Sequence, residues 1–561
     1  MSKFFKFAIG CFYLVITNGC IQENHEIQSK SLPNQSLPNK EKCSRKNNCI
    51  RIPLGDRIAT LDPGLADNKV LETEIIDQLF LGLTTLVLEK KTNTYKVVGE
   101  LAKDWQVSSD KKVYTFFLRQ EVRWSDGKPV TAHDVVWTIR RNLDKNSVLK
   151  IIKNAKNFQS DKSLGVRAID DYTVEFELES AASHFPALLV LGAYRPLPKH
   201  ILEDDKWDDK LIESKKITNG PYKLDKWEKG YKIILKKNPV FYDANNVKIQ
   251  EVHYHLVRDN EKGFAMYEND ELDIMGGLYL KLPRTEIFRI KVDLDLSSEM
   301  HTGFQACTEF YGFNTQRPPT NESSVRKAIV MAIDKQLLID AATAGSHIPA
   351  MTITPPWFLF SDDDNEENKN KIGIPFDPKK AKDELMETYN EQIVLTHYTG
   401  EKDDREIAKA IQTLLKHYLK LEIERDEMRA PRYYKFIVGK EEPPPLPVHM
   451  FRVRMCGDYP HPHAWLDPLF NNKTGYFKWI LRENKELENE FAKSIEEAQQ
   501  ASDITERNQS YRRAEKILTE EAVVVMPLFF DNALFLVKPW VKEWYPMAFG
   551  GQRIRDWSLS E

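Results

Sequence analysis

From about residue 57 onward the hydrophobic positions follow two periods in turn. The stretch Val113-Tyr-Thr-Phe-Phe-Leu-Arg119 concentrates β-branched and aromatic residues, and Ser125-Asp126-Gly127 supplies the turn that ends the next run, so strands are predicted there. Tyr231–Leu235 and Glu251–Val257 read as further strands. At Ser324–Thr343, Asp404–His417 and Glu486–Ala501 the apolar residues recur at helical spacing, which predicts amphipathic helices. Thr131 is placed to cap a helix, with Asp134 three residues on to reach back to it. Neither element type dominates.

The N-terminus has a different pattern. Lys3 and Lys6 precede an apolar run from Phe7 to Ile16, followed by Thr17, Asn18, Gly19 and Cys20. Ten residues make about 15 Å of helix, half of a bilayer core, so the run reads as a signal peptide over 1–19 rather than a membrane span. Its Gly19-Cys20 end resembles a bacterial lipobox, although Thr17 stands where Leu is usual and Asn18 is atypical. The resemblance implies a lipid on Cys20. The alternative is an ordinary secretory signal with an unmodified cysteine. Residues 21–42 are polar and nearly free of large apolar side chains, and 20–49 therefore read as a tether to the membrane. Either way the protein is expected to be exported, to the periplasm or the extracytoplasmic face of the cell membrane. No later segment is apolar enough to span a bilayer.

Export changes the reading of the cysteines. With Cys11 lost in the signal and Cys20 committed to lipid, Cys43, Cys49, Cys307 and Cys456 remain for an oxidising compartment. Cys43 and Cys49 are close enough to close a small loop. Cys307 and Cys456 would close one of about 150 residues, worth on the order of 4–5 kcal/mol in the entropic model. The alternative for the second pair is two buried free thiols.

Composition then excludes several classes. The 561 residues carry 80 Lys+Arg against 84 Asp+Glu, a net charge of −4, and contain no long basic run, which argues against a nucleic-acid partner. With 41% hydrophobic and 11% aromatic residues, the chain is not globally disordered. Its length predicts roughly three or four domains. No phosphate loop, H-E-x-x-H, G-x-S-x-G or C-x-x-C motif is present, so no enzyme and no cofactor is expected. The acid-rich stretch 361–370 lacks the ligand spacing and central glycine of a calcium loop and reads as a solvated loop. His461 and His463, with Asp458 and Asp467 nearby, are the one cluster with metal-ligand character. The flanking prolines make a rigid loop the plainer reading, and no metal is expected.

Five blocks, in order, resemble the solute-binding proteins of peptide and nickel ABC importers, the oligopeptide-binding family. They are Leu61-Asp-Pro63 with Leu79-Phe-Leu-Gly-Leu83; Glu100-Leu-Ala-Lys-Asp-Trp105 through Trp124-Ser-Asp-Gly-Lys-Pro-Val-Thr-Ala-His-Asp134; Thr218-Asn-Gly-Pro-Tyr222 with Asn238-Pro239; Gly312-Phe-Asn-Thr315 with Ala332-Ile-Asp334; and Met455-Cys-Gly-Asp-Tyr459 with Leu536-Val-Lys-Pro-Trp540. The resemblance implies an α/β, two-lobed, hinged periplasmic-binding-protein fold of type II, cluster C, with an extra third domain. It implies a discontinuous domain I at 50–80, 206–306 and 529–561, domain II at 81–205 and domain III at 307–528. The expected function is that of a substrate-binding lipoprotein, monomeric, which captures short peptides in the cleft and delivers them to a membrane permease.

A receptor for many peptides must bind what all peptides share, the backbone and the charged termini. By resemblance Asp458 receives the peptide α-amino group, and Tyr267, Trp137, Asp67, Arg452 and Phe310 are further peptide-binding candidates. The same resemblance pairs Cys307 with Cys456. Two departures stand out. Arg454-Met455 replaces a Gly-Trp pair, and Thr343 and Asp404, with Arg405 adjacent, stand where relatives use Lys and His to meet peptide C-termini. Arg452 and Arg454 together predict a preference for a ligand with an extra acidic group, such as a murein-type peptide. The competing readings are a metal-chelate or haem receptor on the same fold, a secreted hydrolase, and a chaperone-like binder of unfolded chains.

Overall fold

In the computed structural model the described residues are 43–66, 70–89, 94–157, 164–202, 214–343, 346–360, 372–385, 392–399, 402–429, 432–433, 448–501 and 503–560. The signal segment, Cys20 and most of the tether lie outside them, as do Asp67 and the acid-rich stretch.

Three sheets organise the chain. In the first, Cys49–Leu54 pairs in parallel with Glu251–Leu256, which continues antiparallel through Lys232–Lys237 to Tyr222–Glu228. In the second, Ala102–Val107, Val113–Leu118, Thr173–Glu177 and Val166–Asp170 form an antiparallel sheet. The alternation read from the sequence buries Tyr114, Phe116 and Leu118, as a one-sided sheet requires. The helix Ala132–Asn142 crosses strands of this sheet. Its first turn closes as expected: the Asp134 carboxylate accepts from the Thr131 N–H at 2.9 Å and from its hydroxyl at 3.2 Å.

The third sheet builds the cleft. Its order is Ile274–Gly276, Val525–Val537, Met300–Phe313, Met450–Cys456, Ile393–Tyr398 and Ile423–Met428. From the 393–398 strand to the edge the pairing is parallel, and every residue of the 393–398 strand is buried. Helices Ser323–Met331, Lys335–Thr343 and Lys402–Leu419 contribute Ile329, Ile339, Ile411 and Leu415 to an apolar cluster with Leu395, Met450 and Met526. One helix was expected over 324–343; two are found. The break falls where the Asp334 carboxylate accepts from the Leu337 N–H at 3.0 Å, so Asp334 starts a new helix instead of continuing the old one.

The strands Met300–Phe313 and Val525–Val537 are the longest in the molecule's described parts, at 14 and 13 residues. Their antiparallel register slips between Phe304 and Thr308, and again between Glu309 and Phe310. Extra residues on one strand of a pair bend it and raise its twist, so the two strands change direction together near Gln305-Ala306-Cys307. Among the described residues no helix is long and apolar enough to cross a membrane.

Candidate functional site

Two cavities adjoin at that bend. The larger, about 740 Å³, has one wall from Gly277–Leu282, Arg284 and Ile287 and the other from Glu309, Tyr398, Asp404, Tyr433, Arg452 and Asp531. The smaller, about 180 Å³, includes Asp77, Arg195, Cys307, Cys456, Gly457 and Asp458 in its lining. Val70, Leu278, Gln305 and Arg454 border both, so the two form one continuous cleft. The near wall comes close to the sheet because Gly276 and Gly277 have φ of +102° and +56°. A Cβ at Gly276 would sit 2.2 Å from the Leu534 carbonyl, and one at Gly277 would sit 2.0 Å from the Phe535 ring.

The far wall follows from strand pairing. Met450–Cys456 runs antiparallel to Met300–Phe313 with Cys307 opposite Cys456, Glu309 opposite Arg454 and Tyr311 opposite Arg452. The period of two sets Arg452 and Arg454 on one face. Cys307 and Cys456 are joined as a disulfide across a Cα separation of 3.9 Å, and Cys43 is joined to Cys49, as export led us to expect. Just past the bridge the Gly457 N–H donates to the Ala306 carbonyl at 2.8 Å. This fixes the chain on which half-buried Asp458 enters the smaller cavity. On the same lining Asp77 pairs with Arg195 at 2.7 Å and Glu100 with Arg555 at 3.0 Å.

Neither Arg452 nor Arg454 stands as an unengaged cation. Arg452 donates from Nη2 to Glu309 Oε2 at 2.9 Å and pairs through Nη1 with Asp404 Oδ1 at 2.9 Å. Arg454 donates from Nε to Asp531 Oδ2 at 2.9 Å. Burial pushes the Glu309 carboxyl up to about 8 in spite of Arg452, with Asp531 and Asp404 adding to the shift. Burial also raises Asp531, but Arg454 and His347 outweigh it and hold this carboxyl below its usual range. The His347 Nδ1 lies 3.2 Å from the Asn532 amide nitrogen and 3.7 Å from Asp531 Oδ1.

Three other candidates line neither cavity. Tyr267 is fully buried, donates to Glu299 Oε2 at 2.6 Å and carries the Lys538 ammonium 4.4 Å above its ring. Phe310 points away from its neighbour Glu309 and packs 6.5 Å from Phe470, and Trp137 packs half-buried against the main core. Asp67 lies outside the described residues. Thr343 and Asp404 both line the larger cavity. Glu309, Asp531, Tyr398 and Tyr433 were not singled out in the sequence. The signal for the first two was a lone carboxylate inside a long strand.

The histidine pair has another partner. His463 stacks on His184 with ring centroids 3.9 Å apart, its Nδ1 lies 2.8 Å from the Tyr459 hydroxyl, and His461 packs against Tyr511. Burial pushes all three histidines toward the neutral form, although Asp467 works against it at His463. Their ligand atoms do not converge. Among the described residues the one converging set of three is Cys43, Cys49 and His253, whose sulfurs are already bonded to each other.

Comparison with known proteins places this geometry. The profile of the bacterial extracellular solute-binding proteins, family 5 (middle region), matches residues 96–477. The periplasmic oligopeptide-binding protein OppA of Salmonella typhimurium is 28% identical over 518 residues, covering 87% of this chain and 88% of OppA. Among solved structures, the unliganded open form of the periplasmic murein tripeptide-binding protein MppA superposes with a TM-score of 0.75 at 24% identity, covering 92% of this chain and 98% of that one. A second structure, of Escherichia coli MppA, gives 0.66 at 24% identity, covering 91% and 98%. With a two-lobed α/β fold shared along nearly its whole length and more than half its residues under one family profile, this chain belongs to the bacterial extracellular solute-binding proteins of family 5, binders rather than enzymes.

Proposed function

We propose that the protein is the extracytoplasmic peptide receptor of an ABC importer and that Asp458 receives the peptide α-amino group. The observation that carries this is the position of Asp458. Its carboxylate stands two residues beyond the Cys307–Cys456 bridge, in the narrow end of a cleft that widens to a chamber large enough for several residues. The relatives named for oligopeptide and murein peptide binding support the ligand class. A buried ammonium–carboxylate pair is strong only when water is excluded and its hydrogen bonds are complete, so the lobes must close over the peptide.

The domain division at 50–80, 206–306 and 529–561, at 81–205 and at 307–528 fits this proposal. Its boundaries at 306/307 and 528/529 fall within or beside the register slips of the two long strands, which are suited to act as the hinge. Lipid attachment at Cys20, periplasmic location, a monomeric state and delivery to a permease complete the reading. Ligand acidity is another matter. An acidic ligand at Arg452 or Arg454 has to displace Glu309, Asp404 or Asp531, leaving that buried carboxylate without its cation. The proposal therefore does not extend to acidic murein-type peptides. The metal-chelate and haem readings gain nothing from the histidine geometry. Mass spectrometry of ligands released from natively purified protein tests the proposal: short peptides are expected, and a metal chelate or haem would contradict it.

A further inference from the structure

The loop that carries Asp458 is supported at two places. At its start the Gly457 N–H meets the Ala306 carbonyl beside the Cys307–Cys456 bridge. One residue past Asp458, Tyr459 lies nearly parallel to His184 with ring centroids 5.9 Å apart, and its hydroxyl is 2.8 Å from His463 Nδ1. His463 in turn stacks on His184 at 3.9 Å. His184 comes from a distant part of the chain, directly ahead of the short helix Phe185–Leu188, where the Ser183 N–H donates to the Gln499 carbonyl at 3.3 Å. A third imidazole, His461, lies 5.5 Å from His184 and packs on Tyr511 at 5.5 Å. His184 and His461 are 3% and 5% exposed. Among the described residues nothing hydrogen-bonds to His184 Nδ1, His461 Nε2 or the Tyr511 hydroxyl. Two charges face the stack: Asp467, 3.7 Å from His463 Nε2, and Arg507, which acts on His184 and His461.

We propose that His184 is a positioning residue for Asp458, and that the imidazole stack under Tyr459 makes capture of the peptide amine pH-dependent. This rests on the Asp458 reading and adds its regulation. A proton on the stack puts a cation out of water, near Arg507 and against the neighbouring rings, and only His463 has a carboxylate, Asp467, to favour it. The folded values of all three histidines are depressed, so below about 6.5, the ordinary value of an exposed histidine, a separated stack binds more protons than an intact one. The support is therefore complete above that pH and is lost as pH falls below it. Its loss releases Tyr459 and with it the neighbouring carboxylate. The peptide amine cannot produce the same effect, because it becomes more fully charged as pH falls.

Calorimetric titration of the whole exported protein with penta-alanine and its N-acetylated form, at pH 7.5 and 5.5, tests it. The ratio of the two affinities separates the amine from other effects of pH on the cleft. In the unaltered protein the ratio is expected to fall about tenfold or more between the two pH values. In His184→Phe, which keeps a ring under His463 and offers its face to a protonated imidazole, the fall is expected to be less than about threefold. Should that variant not fold, His463→Phe, from the other side of the stack, carries the same expectation. A ratio that stays constant with pH in the unaltered protein, or falls as far in the variant, overturns the positioning role while the Asp458 reading stands. A ratio of one at both pH values, or no binding of either peptide, removes both.

Discussion

Arg452 stands opposite Tyr311 in the strand pairing, yet its guanidinium reaches back diagonally to Glu309, Nη2 to Oε2 2.9 Å, while its Nη1 meets Asp404. Removing it takes the ion pair from the nearly inaccessible Asp404 and the hydrogen bond from the equally buried Glu309. Arg452→Ala is therefore expected to lower unfolding stability by about 3–5 kcal/mol, measured by urea denaturation. A loss well under 1 kcal/mol would mean that the carboxylates are solvated in solution.

The same group sets a pH dependence. The Glu309 carboxyl has a pKa of about 8 in the folded chain, above its value of about 4.3 in an unfolded one, so the folded state holds an extra proton between the two. Stability from this group is full below the unfolded value and is lost as pH rises through about 8, at up to about 1.4 kcal/mol per unit. The buried histidines 184, 461 and 463 act in the opposite direction: their folded values are depressed, so stability falls as pH drops below about 6.5. Thermal unfolding followed from pH 5 to 9 should peak in between, and Glu309→Gln should flatten the decline that runs up to about pH 8 and steepen the loss on the acid side.

The Cys307–Cys456 bridge closes a loop with a sequence separation of 149. Its removal by paired Cys→Ser changes is expected to cost on the order of 4–5 kcal/mol in the entropic model. It should also weaken peptide binding, because Gly457 and Asp458 lose their brace. Unchanged affinity in a folded double variant would separate the bridge from the site.

Hinge motion at the paired register slips predicts compaction on ligand binding. X-ray scattering should show a smaller radius of gyration when peptide is added. An unchanged profile under confirmed binding would rule out closure at 304–308 and 530–532.

Much of the scaffold was legible because it is local. The capping box at Thr131 and Asp134, the alternation at 113–118 and the helical stripe at 404–417 each lie within a few residues of chain, and the five ordered blocks extended the reading to the whole fold. The cleft electrostatics were not local. Arg452 was visible as a cation, but Glu309 lies 143 residues away in sequence and Asp531, the partner of Arg454, 77 residues away. Sequence position carries no sign that these carboxylates neutralise the arginines. Tyr267 and Phe310 entered as candidates by resemblance alone, and the structure places both in the core, on the lining of neither cavity. His184 went unnoticed because its stacking partner His463 is far along the chain.

The central claim is that Asp458 holds a peptide's free amino-terminus. Titrating one peptide against its N-acetylated form tests this with the unaltered protein. The account predicts that acetylation weakens binding by at least roughly a hundredfold, about 3 kcal/mol, and that Asp458→Ala removes most of that difference. Equal affinities for the free and acetylated peptides would contradict it.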